Sequence, residues 1–197
     1  MVKRHRNSQK RFYIKGAVYF ITTATFQRYP YFNDDLLCAL LAADIELCRR
    51  LKNFTLYGYK INPDHVHLLL RPGDTHHYSE IMRSLKTNFS RNVNRLYSLN
   101  TGVFNAPMGG FNAPMGGFNT PLGGFNARAG VFCRRRGHVT PPSTAFRWQS
   151  SFHDHIIRDR NDFTRHVAYI ERQWIKHGLG NNKWCFIADE CGGFTCD

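Results

Sequence analysis

The sequence predicts an α+β fold: a ferredoxin-like antiparallel sheet of the split βαβ type, with helices packed on it and an added C-terminal helix. Three observations carry this. Segments rich in β-branched and aromatic residues alternate with amphipathic helical patterns in the order β-α-β-β-α-β-α. Asn62-Pro63-Asp64 is a turn signal between the second and third strands, most simply making them antiparallel neighbours. The 197 residues, 42% of them hydrophobic, suit one packed domain with decorations.

Each element has its own signal. Residues 17–26, AVYFITTATF, read as the first strand. Asn33 or Asp34 caps a helix over the following 18 residues or so, with Leu36, Leu40, Ala43 and Leu47 as its apolar face. Residues 54–61, FTLYGYKI, form the second strand and HVHLLL the third. A helix then starts near Tyr78, with Ile81, Leu85, Phe89, Val93 and Leu96 in one stripe. Its other faces carry Arg83, Lys86, Ser90, Arg91 and Asn94. After residue 145 the pattern resumes with a strand around 153–158. Asp159 or Asn161 caps a last helix, which ends at Gly178.

Between these elements lies a tandem repeat: GVFNAPM, GGFNAPM, GGFNTPL, GGFNARA, with a period of seven residues. Glycine and proline recur too often in it for a helix, a packed strand or a heptad coiled coil. It reads as a surface insertion over 101–145, either tolerated or used as a binding array. The organisation is therefore a basic arm at 1–16, one domain at 17–179 interrupted by that insertion, and a tail at 180–197 whose pattern places no element.

Lys and Arg number 27 against 14 acidic residues, a formal charge of +13. That excess favours a polyanionic partner, nucleic acid before membrane. No apolar run approaches the ~20 residues that span a bilayer, and the N-terminal segment lacks the apolar core of a signal peptide. A soluble, cytoplasmic protein is expected, monomer or homodimer. Of six cysteines none forms a CxxC pair. Cys38 and Cys48 fall in a helical pattern as buried thiols; Cys185, Cys191 and Cys196 match no common zinc spacing.

The third strand spends two positions on histidine. Residues i and i+2 share a strand face, so His65 and His67 project together while Val66 points away. Two partly buried imidazoles need two sets of partners, and one divalent ion satisfies both; a pair of separately hydrogen-bonded histidines is the alternative. A metal would need a third ligand from elsewhere. On the last helix Phe163, Val167, Ile170 and Trp174 form the apolar stripe, and at about 100° per residue Tyr169 lies roughly 130° from it. Gln173 follows one turn later on the same flank, and His166 precedes by one turn. If that flank faces the histidine strand, Gln173 can offer its carbonyl oxygen with Tyr169 nearby; otherwise it is an exposed face with an incidental tyrosine.

PDHVHLLL, a helix bearing Lys and Arg, WQSSFHDHIIRD, RHVAYI and KHGL resemble, in that order, the HUH single-strand DNA transposases with one catalytic tyrosine, most closely the REP-associated tyrosine transposases. The resemblance runs from Tyr13 to Leu179 apart from the insertion. It implies that His65 and His67 bind Mg²⁺ or Mn²⁺, that Gln173 completes the ligand set, and that Tyr169 is the nucleophile. Members of the REP-associated group usually carry Asn-Pro where this chain has Gln173-Trp174, so the amide is kept and the proline is absent. The implied reaction cleaves and rejoins single-stranded or hairpin DNA through a 5′-phosphotyrosine. Arg83, Lys86 and Arg91, with Lys3, Arg4 and Arg6 of the arm, are candidate DNA contacts. Tyr13, Tyr19, Phe26 and Tyr29 could stack on bases or serve the core. Two other readings stay open: an inactive copy that only binds single-stranded nucleic acid, and a metal phosphodiesterase that uses water.

Overall fold

The computed structural model describes residues 11–100 and 145–189. Its elements in chain order are β1 (Tyr19–Ala24), α1 (Asp35–Lys52), β2 (Thr55–Asn62), β3 (His65–Arg71), α2 (Tyr78–Asn100), β4 (His153–Ile156), α3 (Arg160–Lys176) and β5 (Cys185–Ile187). The sheet order is β4-β1-β3-β2-β5, and every neighbouring pair is antiparallel. β1 and β2 both pair with β3, so they run parallel to each other, which is the split βαβ arrangement.

Two apolar layers cover the sheet. Val66, Leu68 and Leu70 of β3 join Tyr19, Ile21 and the buried sides of α1 and α2 in the larger core. Leu69 points the opposite way and joins Phe20, Tyr57, Phe163 and Ile170 under α3. Strand alternation puts His65 and His67 on the Leu69 side, facing α3. The caps are Asp34, which accepts from the Leu36 amide, and Asp159, which accepts from the Asp162 amide. Both were among the expected candidates.

The apolar face of α1 differs from the expected one. Leu36 and Leu47 are exposed, and the buried row is Leu37, Cys38, Leu41, Asp44, Ile45 and Cys48. A stripe of aliphatic residues alone does not find this row, because it contains two thiols and a carboxylate. Asp44 is accommodated there because the side-chain amides of Asn88 and Asn92 on α2 donate to it. Burial pushes the Cys38 thiol up to about 12, so it behaves as a small apolar side chain. On α2 the expected stripe is buried from Ile81 to Val93, with Leu96 half-buried.

Part of the segment that showed no pattern belongs to the sheet. β5 pairs with β2, and the turn before it is fixed by Lys183 Nζ and Trp184 Nε1 donating to the Asp35 carboxylate. Gly58 permits that pairing: a Cβ there would lie 2.9 Å from both Ile187 Cδ1 and the Phe186 carbonyl oxygen. The repeat insertion up to residue 144, the arm residues Lys3, Arg4 and Arg6, and Cys133, Cys191 and Cys196 lie outside the described residues. Among the described residues no helix is long and apolar enough to cross a membrane.

Candidate active site

β3 brings His65 and His67 to one face, both nearly fully buried. Each imidazole is held from its Nδ1 side. Asp64 Oδ1 lies 2.5 Å from His65 Nδ1, and Thr22 Oγ1 lies 2.9 Å from His67 Nδ1, because β1 sets Thr22 opposite His67. A carboxylate against Nδ1 keeps the proton there and leaves Nε2 as a lone pair. The two Nε2 atoms converge to 3.2 Å. Burial, and then the neighbouring His65, push His67 down to about 3; burial also lowers His65 against the opposing pull of Asp64. Both rings are neutral at neutral pH, with their Nε2 atoms turned toward the same point.

Two amides border that point. Asn62 closes β2 opposite His65 and its Nδ2 lies 3.2 Å from His65 Nε2. Gln173 is 1% exposed and its side-chain amide acts on His67 at hydrogen-bonding range, yet among the described residues no donor meets its buried Oε1, or the buried Oδ1 of Asn62, with good hydrogen-bond geometry. A buried amide oxygen left unpaired costs about 1–3 kcal/mol. Two converging imidazole nitrogens beside orphaned carbonyl oxygens form a donor set that fits a divalent cation.

Tyr169 lies one helical turn before Gln173 and is 37% exposed. Its ring meets His67 edge-on at 5.2 Å and Phe20 at 5.8 Å. Its hydroxyl accepts from Lys176 Nζ at 3.3 Å. α3 therefore presents His166, Tyr169 and Gln173 toward the histidine strand. His166 Nδ1 donates to the Asp162 carbonyl and its ring packs on Phe20. His177, just past α3, stands with its ring 5.0 Å from His65.

Thr22, Asn62, Asp64 and Lys176 are site residues that sequence reasoning did not single out. Asp64, adjacent to the first histidine, was legible as a carboxylate partner. Thr22 becomes visible only through strand register, whereas Asn62 meets His65 across the short turn that joins β2 to β3. Arg28 also reaches the site: Gln27 and Arg28 both adopt left-handed backbone (φ 54° and 56°), and Arg28 donates to Asp64 at 3.4 Å.

The expected DNA contacts on α2 lie on the other side of the sheet from the histidines. Arg83 and Arg91 are exposed there. Lys86 donates to the Gln149 and Ser151 carbonyls and is pushed down to about 8 by burial and by Arg11. Arg83 and Lys86 line a cleft of about 400 Å³ with Arg11, Tyr13 and Phe152. Of the four aromatic candidates for stacking, Tyr19 and Tyr29 are buried and Tyr13 is exposed.

A second cluster adjoins the site. His155 of β4, and Asp162 and His166 of α3, bring ligand-type atoms within 4.8 Å of one another. Asp162 is already engaged: His155 Nε2 at 2.9 Å, the Arg158 amide at 3.2 Å, Arg158 Nε at 3.3 Å and an Arg165 guanidinium nitrogen at 3.5 Å all approach it.

Comparison with known proteins finds similarity to transposases. A family model for IS200-like transposases matches residues 14–105, which contain both histidines and end before α3. A Haemophilus influenzae protein provisionally named a REP-associated tyrosine transposase is 24% identical over 182 residues, covering 87% of this chain and 78% of that protein. A solved structure of a REP-associated tyrosine transposase bound to a REP hairpin superposes with a TM-score of 0.54 at 21% identity, covering 88% of this chain and 75% of the other. That similarity is consistent with DNA transposition. In sequence and in fold, the chain is similar to the IS200-like transposases and, among them, to the REP-associated tyrosine transposases.

Proposed function

We propose that this chain is a metal-dependent, cytoplasmic DNA strand transferase that cuts and rejoins single-stranded or hairpin DNA through Tyr169. The observation that carries this is the buried, unpaired Oε1 of Gln173 beside the converging Nε2 atoms of His65 and His67, one helical turn from an exposed tyrosine. His65, His67 and Gln173 would hold Mg²⁺ or Mn²⁺, which supplies Lewis-acid polarisation of the scissile phosphate when bound.

The chain's own groups perform the remaining steps. Asp64 and Thr22 fix the imidazoles so that their Nε2 atoms converge. Tyr169 is open to solvent on one side, so its phenolic proton can leave to water as Oη attacks phosphorus. The bond from phosphorus to the 3′ oxygen breaks, that oxygen takes up a proton, and a 5′-phosphotyrosine remains. The reverse step onto a second 3′-OH rejoins strands with no external energy source, because the phosphodiester bond is conserved in the link. Lys176, which donates to Tyr169 Oη, stands where it meets the negative charge of the reacting oxygen. Residues 17–179 with β5 form the working domain, and 101–145 is an insertion that it tolerates.

The test is direct. The protein is incubated with Mn²⁺ and end-labelled single-stranded hairpins, then denatured in SDS. Label that migrates with the wild-type protein, and is absent with Tyr169→Phe, is the expected result. Cleavage that persists in Tyr169→Phe would transfer the reaction to water.

A further inference from the structure

The cluster around Asp162 has the side-chain types of a metal site, but its charge is wrong for one. One carboxylate faces two guanidiniums, Arg158 and Arg165, before either imidazole is counted. The carboxylate is 3% exposed and its oxygens are turned toward those donors, whereas the side chains of Arg158 and Arg165 are 69% and 66% exposed. Each guanidinium has five N–H donors and directs only a minority of them at Asp162. A cation entering here would displace two arginines. An anion would meet them already gathered.

The cluster is continuous with the candidate active site. His155 and His166 stack at 4.9 Å, His166 lies 4.6 Å from Phe20, and the Phe20 ring lies 5.8 Å from Tyr169. β1 pairs Phe20 with His155 and Thr22 with His153, so β4 runs along the edge of the face that holds His67. An extended polyanion leaving Tyr169 along β4 would pass over Arg158 and Arg165.

We propose that Arg158, Arg165 and His155, gathered on the carboxylate of Asp162, form a phosphate-binding station for the single-stranded DNA that flanks the hairpin next to Tyr169. The proposal rests on the transferase reading for its substrate, but it is a statement about binding and is tested without catalysis. Asp162 is a positioning residue: it holds the donors and leaves their outer N–H groups to the phosphate backbone. The site takes phosphodiester oxygens and reads no base, since guanidinium-to-phosphate contacts carry no sequence information.

The experiment measures binding by fluorescence anisotropy in EDTA, using one hairpin with a single-stranded flank and the same hairpin without it. The double variant Arg158→Ala/Arg165→Ala removes two exposed side chains and is expected to fold, which far-UV circular dichroism checks. It should weaken binding of the flanked hairpin by about tenfold at low salt, the scale of one or two charge-assisted hydrogen bonds. The slope of log K against log[salt] should fall by roughly 0.7 for each phosphate that the variant no longer neutralises. The flankless hairpin should bind as to wild type, and Arg158→Lys/Arg165→Lys should recover part of the affinity. Equal weakening of both hairpins, or no weakening of either, overturns the proposal. So does a Mn²⁺ titration of wild type that finds two sites, one of them abolished in His155→Ala, because the cluster would then be a cation site. Failure of wild type to form a covalent adduct would overturn the transferase reading and leave these binding outcomes intact.

Discussion

The Nε2 atoms of His65 and His67 lie 3.2 Å apart, with both rings held from behind by Thr22 and Asp64. Two neutral imidazoles in this arrangement share one hydrogen bond when a proton sits on either Nε2, and with both protons on Nδ1 they can ligate a single divalent cation together. His65→Ala or His67→Ala should therefore abolish Mn²⁺ binding in a calorimetric titration and abolish cleavage. DNA affinity should change little, because the exposed cations lie elsewhere. Loss of DNA binding equal to the loss of cleavage, with the fold intact, would contradict a metal role.

Asp64 offers a finer test. It touches His65 Nδ1 and receives Arg28, and it lies outside the proposed ligand set. Asp64→Asn keeps the shape and removes the charge that holds the proton on Nδ1. Mn²⁺ affinity should fall by about 10- to 100-fold, the usual scale when the carboxylate partner of a ligating histidine is removed. Unchanged affinity would mean that packing alone orients the ring.

Much of this site was legible in the sequence. The strand and helix pattern carries the split βαβ order, and the HxH spacing puts both histidines on one face, since alternation is a local property of the backbone. Flank geometry on α3 separates Tyr169 and Gln173 from the apolar stripe. What the sequence could not convey is register. Thr22 meets His67 only because β1 pairs with β3 at one particular offset, whereas Asn62 meets His65 across the short turn that joins β2 to β3. β5 escapes sequence reasoning for a related reason: three residues with no strong alternation become a strand only where Gly58 lets their backbone approach. The buried face of α1 escapes it because a carboxylate with two amide partners has no signature in apolar periodicity.

Gly58→Ala tests that close approach. The added methyl would meet the Phe186 carbonyl, which is backbone and moves only if β5 moves. A destabilisation of about 1–3 kcal/mol is expected by denaturant unfolding. Hydrogen exchange should show the weakening first at the amides that pair β2 with β5. No change in stability would mean that β5 contributes little to the domain.

Asp162 gives a pH dependence. Burial alone would raise its carboxyl, but hydrogen bonds from His155 and Arg158 outweigh burial and hold it well below the usual range. A lowered carboxylate contributes stability that is fully present above its unfolded value of about 4 and is lost as pH falls through the folded value. Wild type should thus lose stability on acidification below about pH 4, and Asp162→Asn should be less stable at neutral pH with a flatter acid limb. Parallel acid limbs for the two proteins would show that the carboxylate is not held this way.

Tyr169 decides between the enzyme and its alternatives. Its ring packs against His67 and Phe20, while its hydroxyl, on the exposed side, accepts from Lys176. Tyr169→Phe keeps every ring contact and removes one exposed hydrogen bond, so stability should fall by at most about 1 kcal/mol. Mn²⁺ binding should be unchanged, because His65, His67 and Gln173 are untouched. The covalent protein–DNA adduct should vanish completely, since the missing oxygen is the one that would join phosphorus. These three readouts separate the possibilities. Disappearance of the adduct with metal binding and stability retained identifies Tyr169 as the nucleophile. Strand cleavage continuing at the wild-type rate identifies water instead. A wild-type protein that binds Mn²⁺ and hairpin DNA but yields no adduct on any hairpin with Mg²⁺ or Mn²⁺ is a binding protein built on a transposase fold, and the buried Gln173 oxygen is then a remnant of chemistry that this chain does not perform.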